Sequence, residues 1–260
     1  MKSIVVINGS PRDEHSNTMM LVRDFLGVLR EQYTDSYFEI ITLQKKNFTF
    51  CRGCGACKRS GDCVFKDDLT EVKQKVLKSD LLIMATPVYE YHVSAQMKAF
   101  FDRSFMWTGL MKLLGKPVIT AVTAAGGGIK PTENYLKMML LAMGAIVVGN
   151  MRLFTHSHEC VVEKGKHKDT YAALAAKAAA ILRGEQPKDT WLNQVYFSAV
   201  RRAILHDRAK HHGNNFDYEY TYWLAKGWLK SSYRQALTAA HAAPPARTAG
   251  PKPPPKTPVA

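Results

Sequence analysis

Hydrophobic positions in this chain change period at regular intervals, and each change predicts a new element. Ile4-Val5-Val6-Ile7 is a continuous apolar run of strand length, as expected of a strand buried on both faces. Met20, Leu21, Phe25 and Leu29 then recur on one side of a helix starting near Met19. Phe38 to Leu43 alternates as a second strand, ended by Lys45-Lys46-Asn47. Asp68-x-x-Glu71 resembles a capping box for a helix with Leu69, Val72, Val76 and Leu77 on one side. Leu81 to Ala85 reads as a third, fully buried strand closed by Thr86-Pro87. Ser94 is placed to cap a helix with Met97, Phe100, Phe101 and Phe105 facing inward. Val118 to Ala124 is a fourth strand, Tyr135 to Met143 a helix, Ile146 to Phe154 a fifth strand, and Lys168 to Leu182 a helix ended by Arg183-Gly184. Strand and helix alternate five times over. That rhythm predicts an α/β fold, a doubly wound five-stranded parallel sheet with ligand loops at the carboxyl ends of its strands.

The character changes after residue 184. Leu192, Val195, Val200, Ile204 and Leu205 suggest one further helix, and Tyr218 to Leu237 another, rich in tyrosine and tryptophan. Residues 242–260 are rich in Pro, Ala and Lys and are expected to be a disordered tail. The organisation read from the chain is therefore a domain over 1–184, a basic, aromatic helical extension over 185–241, and the tail.

Composition agrees with a globular body. The chain has 260 residues, 46% hydrophobic and 22% charged, enough for a full core. Its longest apolar run, residues 138–149, is interrupted by glycine and too short to span a bilayer, and the N-terminus enters a strand where a signal peptide would stand. A cytoplasmic location is the default expectation. Of the net charge of +14, half lies in residues 187–260, where 11 Lys and Arg face 4 Asp and Glu. Such a segment can attract nucleic acid, anionic lipid or an acidic protein. Its aromatics are crowded like a packing face and no RNA or DNA module signature is present, so packing on the core or a second subunit is favoured over nucleic acid.

The candidate chemistry lies in loops. Asn8 to Thr18 joins the first strand to the first helix, where unpaired amides and the helix dipole favour a phosphate. Ser10, Ser16, Asn17 and Thr18 add short donors, and Arg12 adds charge, although the same residue types serve any helix N-terminus. Neither a Gly-x-Gly-x-x-Gly nor a Gly-Lys-Ser/Thr motif is present, so a monophosphate fits better than a pyrophosphate. The third strand ends in Pro87-Val88-Tyr89, where an aromatic can stack on a planar ring. The fourth ends in Thr123 to Gly128, where backbone amides are unobstructed. A planar heteroaromatic with one phosphate suits all three. His15 and His92 also lie in these loops and are expected to be solvent-facing or capping. No acid/base pair or nucleophile stands out.

Gly9-Ser10-Pro11-Arg12 with Ser16-Asn17-Thr18, then Cys51-x-x-Cys54-x-x-Cys57-x5-Cys63 with Asp67-Asp68, then Pro87-Val88-Tyr89 and Met97 to Arg103, together resemble the flavodoxin-like NADPH-dependent FMN reductase family over about residues 1–184. Its cysteine-bearing branch includes the iron-sulfur flavoproteins. The resemblance implies that Ser10, Arg12, Ser16, Asn17 and Thr18 hold the FMN phosphate, that Pro87, Val88 and Tyr89 flank the isoalloxazine, and that Gly126 and Gly127 approach its pyrimidine end. It implies an FMN-dependent NAD(P)H oxidoreductase that passes hydride from nicotinamide to flavin and then electrons to a small-molecule acceptor, with the protein supplying alignment instead of a catalytic side chain. A homodimer or higher homo-oligomer is implied too. The alternatives are an electron carrier that works with a redox protein partner, and a flavin-binding regulator with a basic interaction arm.

Four of the five cysteines, Cys51, Cys54, Cys57 and Cys63, crowd into one short segment, unlike a dispersed disulfide framework. They can ligate a [4Fe-4S] cluster, with Arg52, Lys58, Arg59 and Lys66 offsetting its charge. Zinc ligation, and free or disulfide-forming thiols, remain open on spacing alone. Cys160 is expected to be simply buried.

Overall fold

The computed structural model describes residues 1–155, 168–210 and 218–242. Its strands are β1 (Lys2–Asn8), β2 (Ser36–Thr42), β3 (Leu81–Tyr89), β4 (His92–Val93), β5 (Pro117–Ala124) and β6 (Ile146–Phe154). Five of them form a parallel sheet in the order β2-β1-β3-β5-β6. This is the flavodoxin-like order, with the chain reversing its direction of travel across the sheet between β1 and β3. β4 is a two-residue return that pairs antiparallel with the end of β3.

Burial on both faces explains the continuous apolar runs. Ile4, Val6, Leu81 and Ile83 enter one core, whereas their neighbours Val5, Ile7, Leu82 and Met84 enter the other. The first core is roofed by helices α1 (Asn17–Gln32) and, near the far end of the chain, Lys168–Leu182. After α1 come α2 (Ala56–Ser60), α3 (Asp68–Lys78), α4 (Ala95–Arg103), α5 (Met106–Gly109) and α6 (Ile129–Ala142), of which α3, α4 and α6 cover the second core. Lys168–Leu182 is α7, followed by α8 (Trp191–Lys210), α9 (Tyr218–Ala225) and α10 (Tyr233–Ala242).

Several local expectations change. α3 is capped by Asp67, whose carboxylate accepts from the Leu69 amide, and not by Asp68, which accepts from the Asn47 amide instead. Phe105 points outward, 53% exposed, because α4 ends at Arg103 and its helical phase is lost by that position. α6 begins six residues earlier than the apolar period suggests, directly after Gly128, and takes Pro131 into its first turn, where no amide partner is lost. The segment after Thr86 is a hairpin and not an open loop, since Tyr89 pairs with His92 across a turn in which Glu90 and Tyr91 both have positive φ. The single helix expected over 218–237 is broken into α9, a 3-10 turn at Trp228–Lys230, and α10, with Gly227 in the left-handed region at the break. Cys160 and the tail beyond Ala242 lie outside the described residues.

The C-terminal helices pack on the body of the protein, as the crowded aromatics suggested. Trp223, Trp228 and Tyr233 are buried around Phe197, with the Trp223 ring 4.8 Å from the Phe197 ring. Polar edges then bond to the body. Trp223 Nε1 donates to the Gly109 carbonyl at 2.7 Å, Tyr233 Oη to the Gly144 carbonyl at 3.0 Å, and Asn193 Nδ2 to the Ala145 carbonyl at 2.9 Å. Trp223 and Tyr233 thus bury their apolar bodies with their polar edges hydrogen-bonded. Among the described residues, no helix is long and apolar enough to cross a membrane.

Candidate functional site

Strand ends β1, β3 and β5 open on a common cleft. Its polar end is the loop after β1. There Gly9 runs so close to α4 that a Cβ would stand 3.0 Å from Met97 Cβ and from Ser94 Oγ, and any side chain would force one of them to shift. The Gly9 amide donates to the Ala85 carbonyl at 2.8 Å, and the Ser10 amide to Asn8 Oδ1 at 2.9 Å. Ser16 caps α1, accepting from the Met19 amide at 3.1 Å while donating to the Asp13 carbonyl at 2.7 Å. The capping role and a place in the cleft wall therefore coexist in Ser16. Asp13 would oppose an anion here, but the Lys45 ammonium and then the Thr42 hydroxyl bond its carboxylate, which holds that carboxyl below its ordinary range.

Ser10, Arg12, Ser16, Asn17 and Thr18 all line the cleft, as do Pro87, Val88 and Tyr89 on the opposite wall. Three of the five polar residues, Ser10, Ser16 and Thr18, are nearly inaccessible, and Tyr89 is 44% exposed at the rim. Gly126 and Gly127 are not brought into the lining. In their place Thr123, Ala124 and Ala125 form the third wall, with Thr155 after β6. Tyr91 lies across the glycines, 3.1 Å from where a Cβ on Gly127 would stand. A buried hydrogen bond of 2.6 Å between the hydroxyls of Thr18 and Thr123 ties the first wall to the third. Thr123 was legible as a hydroxyl at the last buried turn of an apolar strand; Thr155 carried no such signal. His15 is exposed, the His92 ring lies tilted against Tyr135 with centroids 4.2 Å apart, and neither lines the cleft.

The donor set fits FMN. Hydroxyls and a guanidinium gather at the helix N-terminus, a place able to hold a phosphate, and Pro87, Val88 and Tyr89 form the wall opposite, able to face a ring.

The cysteine segment lies between β2 and α3. All four thiols are free, Cys51 and Cys54 exposed, Cys57 and Cys63 half-buried. Among the described residues, no three Cys, His, Asp or Glu side chains converge as a metal-holding group. Burial pushes the Cys57 thiol up, with the nearby Cys63, Cys51 and Cys54 adding to the same direction. Their basic neighbour is Arg103, at the end of α4. It is 1% exposed in its side chain, pairs with both carboxylate oxygens of Asp67 at 2.8 and 3.1 Å, and donates through Nε to Cys63 Sγ at 3.1 Å.

A flavodoxin-like sheet with this cleft at its β1/β3 switch point defines a flavin-dependent oxidoreductase as the class of protein. The family model described as NADPH-dependent FMN reductase matches residues 2–159, and the chain belongs to that family as an FMN-dependent NAD(P)H oxidoreductase. It is similar to an iron-sulfur flavoprotein of Archaeoglobus fulgidus, 31% identical over 234 residues that cover 88% of this chain and 100% of that protein. It is also similar to an iron-sulfur flavoprotein of Clostridioides difficile, 29% identical across 78% of this chain and 88% of the relative. Among solved structures, RosB with a bound flavin-type intermediate shares the fold, with a TM-score of 0.57 and 13% identity over 80% of this chain and 88% of its own.

Proposed function

We propose that FMN occupies the cleft with its phosphate among Ser10, Arg12, Ser16, Asn17 and Thr18 and its ring along Pro87, Val88 and Tyr89. Thr123, Ala124 and Ala125 offer backbone groups where Gly126 and Gly127 had been expected to do so. The single observation that carries this reading is the polarity of one cleft, with anion donors at the helix end and an apolar wall at the other. When bound, FMN supplies acceptance of hydride from a reduced nicotinamide and delivery of electrons to a small-molecule acceptor. The chain's own residues bind and orient: Ser16 fixes the start of α1, the Thr18–Thr123 pair sets the width of the cleft, and Tyr89 at the rim leaves a ring edge reachable by a second molecule. The test is a visible spectrum of the purified protein, FMN titration, and stopped-flow mixing with NADPH and NADH. Stoichiometric flavin that bleaches rapidly supports the reading. A colourless protein that takes up no added FMN overturns it. Flavin that resists both nicotinamides favours instead an electron carrier fed by a redox protein, or a regulator that uses its basic C-terminal region as an arm.

A second centre is supported by the thiols. Cys51, Cys54, Cys57 and Cys63 are read as ligands of a [4Fe-4S] cluster from their spacing and their free thiols, and holding it requires the segment to draw together sulfurs that do not converge in the described structure. The names of the archaeal and clostridial relatives agree with this reading. Free thiols of this kind also suit a reducing, cytoplasmic compartment. Anaerobic purification with iron and sulfide analysis decides it, equal and stoichiometric amounts being expected.

A further inference from the structure

We propose that Tyr91 determines which second molecule the cleft accepts, presenting its ring at the mouth as a platform for a flat aromatic ring, that of nicotinamide or of an aromatic acceptor. The inference rests on the FMN reading above and adds to it a residue that does not itself line the cleft.

Tyr91 stands where the backbone disfavours a large side chain. Between the paired residues Tyr89 and His92 the turn consists of Glu90 and Tyr91, with φ of +46° and +61°. Asn and Gly ordinarily take such positions, because a Cβ at positive φ crowds the backbone. Burial does not offset that strain, since Tyr91 is 67% exposed. The turn is held from α6 instead. Thr132 Oγ1 donates to the Tyr91 carbonyl at 3.3 Å, and the ring of His92, the next residue, lies against Tyr135. Strain that neighbours hold in place, and that brings the aromatic no burial, points to what the ring presents outward.

The surroundings of Tyr91 set it at the mouth. It follows Val88 and Tyr89, both in the cleft wall, and a Cβ on Gly128 would stand 2.7 Å from Val88 Cγ1 and 3.0 Å from Tyr91 Cα. A Cβ on Gly127 would stand 3.1 Å from the Tyr91 ring, so the loop directly after the Ala124-Ala125 wall leaves room for that ring between the ends of β3 and β5. Tyr89, two residues away, is the other exposed aromatic at the rim. Two exposed aromatics at one entrance favour a partner with a flat π-face over a compact hydrated ion, because stacking needs a face to lie on. Nicotinamide and quinone rings have such a face, and hexacyanoferrate has none.

The experiment uses the full chain with FMN bound and compares the parent with Tyr91→Phe, Tyr91→Gly and Tyr91→Asn. Glycine and asparagine suit the turn, so either removes the ring without adding strain. Measured are FMN affinity, the thermal midpoint, calorimetric Kd for NADP+ and for a naphthoquinone sulfonate, and kcat and KM with NADPH against that quinone or hexacyanoferrate. The ring-deleted variants are expected to keep FMN and the parental thermal midpoint but to bind one planar ligand roughly three- to tenfold more weakly. Its KM rises in step, the KM for hexacyanoferrate does not move, and Tyr91→Phe behaves as the parent. A loss confined to NADP+ names nicotinamide as the ligand of the platform, and a loss confined to the quinone names the acceptor. Parental Kd for both planar ligands overturns the inference and leaves the FMN reading standing. Loss of FMN from the ring-deleted variants alone overturns it too, because Tyr91 would then belong to the flavin's own site. A parent chain that takes up no FMN removes the FMN reading itself, and the inference with it.

Discussion

Ser94 donates a 2.6 Å hydrogen bond from its hydroxyl to the carbonyl of Gly9, a residue 85 positions earlier. The same oxygen accepts from the Met97 amide at 3.3 Å, so one buried hydroxyl both caps α4 and clamps the loop that forms the polar end of the cleft. The loop after β1 and α4 are thereby a single unit, and the absence of a side chain on Gly9 lets them lie this close. Ser94→Ala is expected to destabilise the fold by about 1–3 kcal/mol, the combined scale of a lost cap and a buried unsatisfied carbonyl. It should also weaken FMN binding. Urea unfolding and flavin fluorescence titration check the two effects, and a variant with parental affinity for FMN would disconnect the clamp from the site.

The Thr18–Thr123 pair gives a second prediction. Each single change to valine leaves the other hydroxyl buried without its partner, at a cost of about 1–3 kcal/mol. Thr18→Val/Thr123→Val removes both hydroxyls and should cost less than the two singles combined. A double-mutant cycle from chemical denaturation measures the coupling, and strict additivity would show that the two hydroxyls do not share a bond.

Gly61 connects the cysteine segment to the C-terminal helices. It sits at the end of α2 with φ +75°, and a Cβ there would lie 2.1 Å from the Tyr218 ring. Gly61→Ala therefore combines left-handed strain of about 1–2 kcal/mol with displacement of Tyr218. It is expected to expose α9 to limited proteolysis. Adding Tyr218→Ala relieves the clash but not the strain, so the double variant should be less sensitive to an interface-opening effect than its loss of contacts suggests. Proteolysis of the single variant at the parental rate would place Tyr218 elsewhere.

A pH dependence follows from Lys116. Burial lowers its ammonium to about 8, although it donates to the Ser79 carbonyl. Between pH 8 and the ordinary lysine value of about 10.5 the unfolded chain binds more protons at this position than the folded one. Stability therefore rises with pH across that window, and the burial penalty, about 3 kcal/mol at most, is complete below pH 8. Lys116→Met is expected to lose this slope. Unfolding free energies of parent and variant from pH 7 to 10.5 should converge toward the alkaline end, and parallel curves would contradict the shift.

How much of this was legible in the sequence differs from element to element. The strand Ile146–Phe154 has the predicted ends, with Ile146, Val148, Met151 and Leu153 buried between more exposed positions, and the helix Lys168–Leu182 closes where Arg183-Gly184 predicts. Ser94 was readable as a cap because a hydroxyl before an apolar period has few other uses. The clamp onto Gly9 was not, since periodicity carries no information about what lies opposite the cap. The early start of α6 was missed because its first turn holds Lys130, Pro131 and Thr132, without an apolar stripe.

The sequence by itself determined the alternation of strands and helices, the strand ends that carry chemistry, and the residue types able to hold a phosphate and a ring, since all of these follow from local period and donor chemistry. Tertiary structure alone decided that Thr123 to Ala125 and not Gly126–Gly127 face the cleft, that Tyr218 meets Gly61, and that Arg103 reaches Cys63. Those choices depend on how strand register, helix ends and left-handed turns bring distant backbone segments together, and side-chain identity along a line of sequence does not encode that distance.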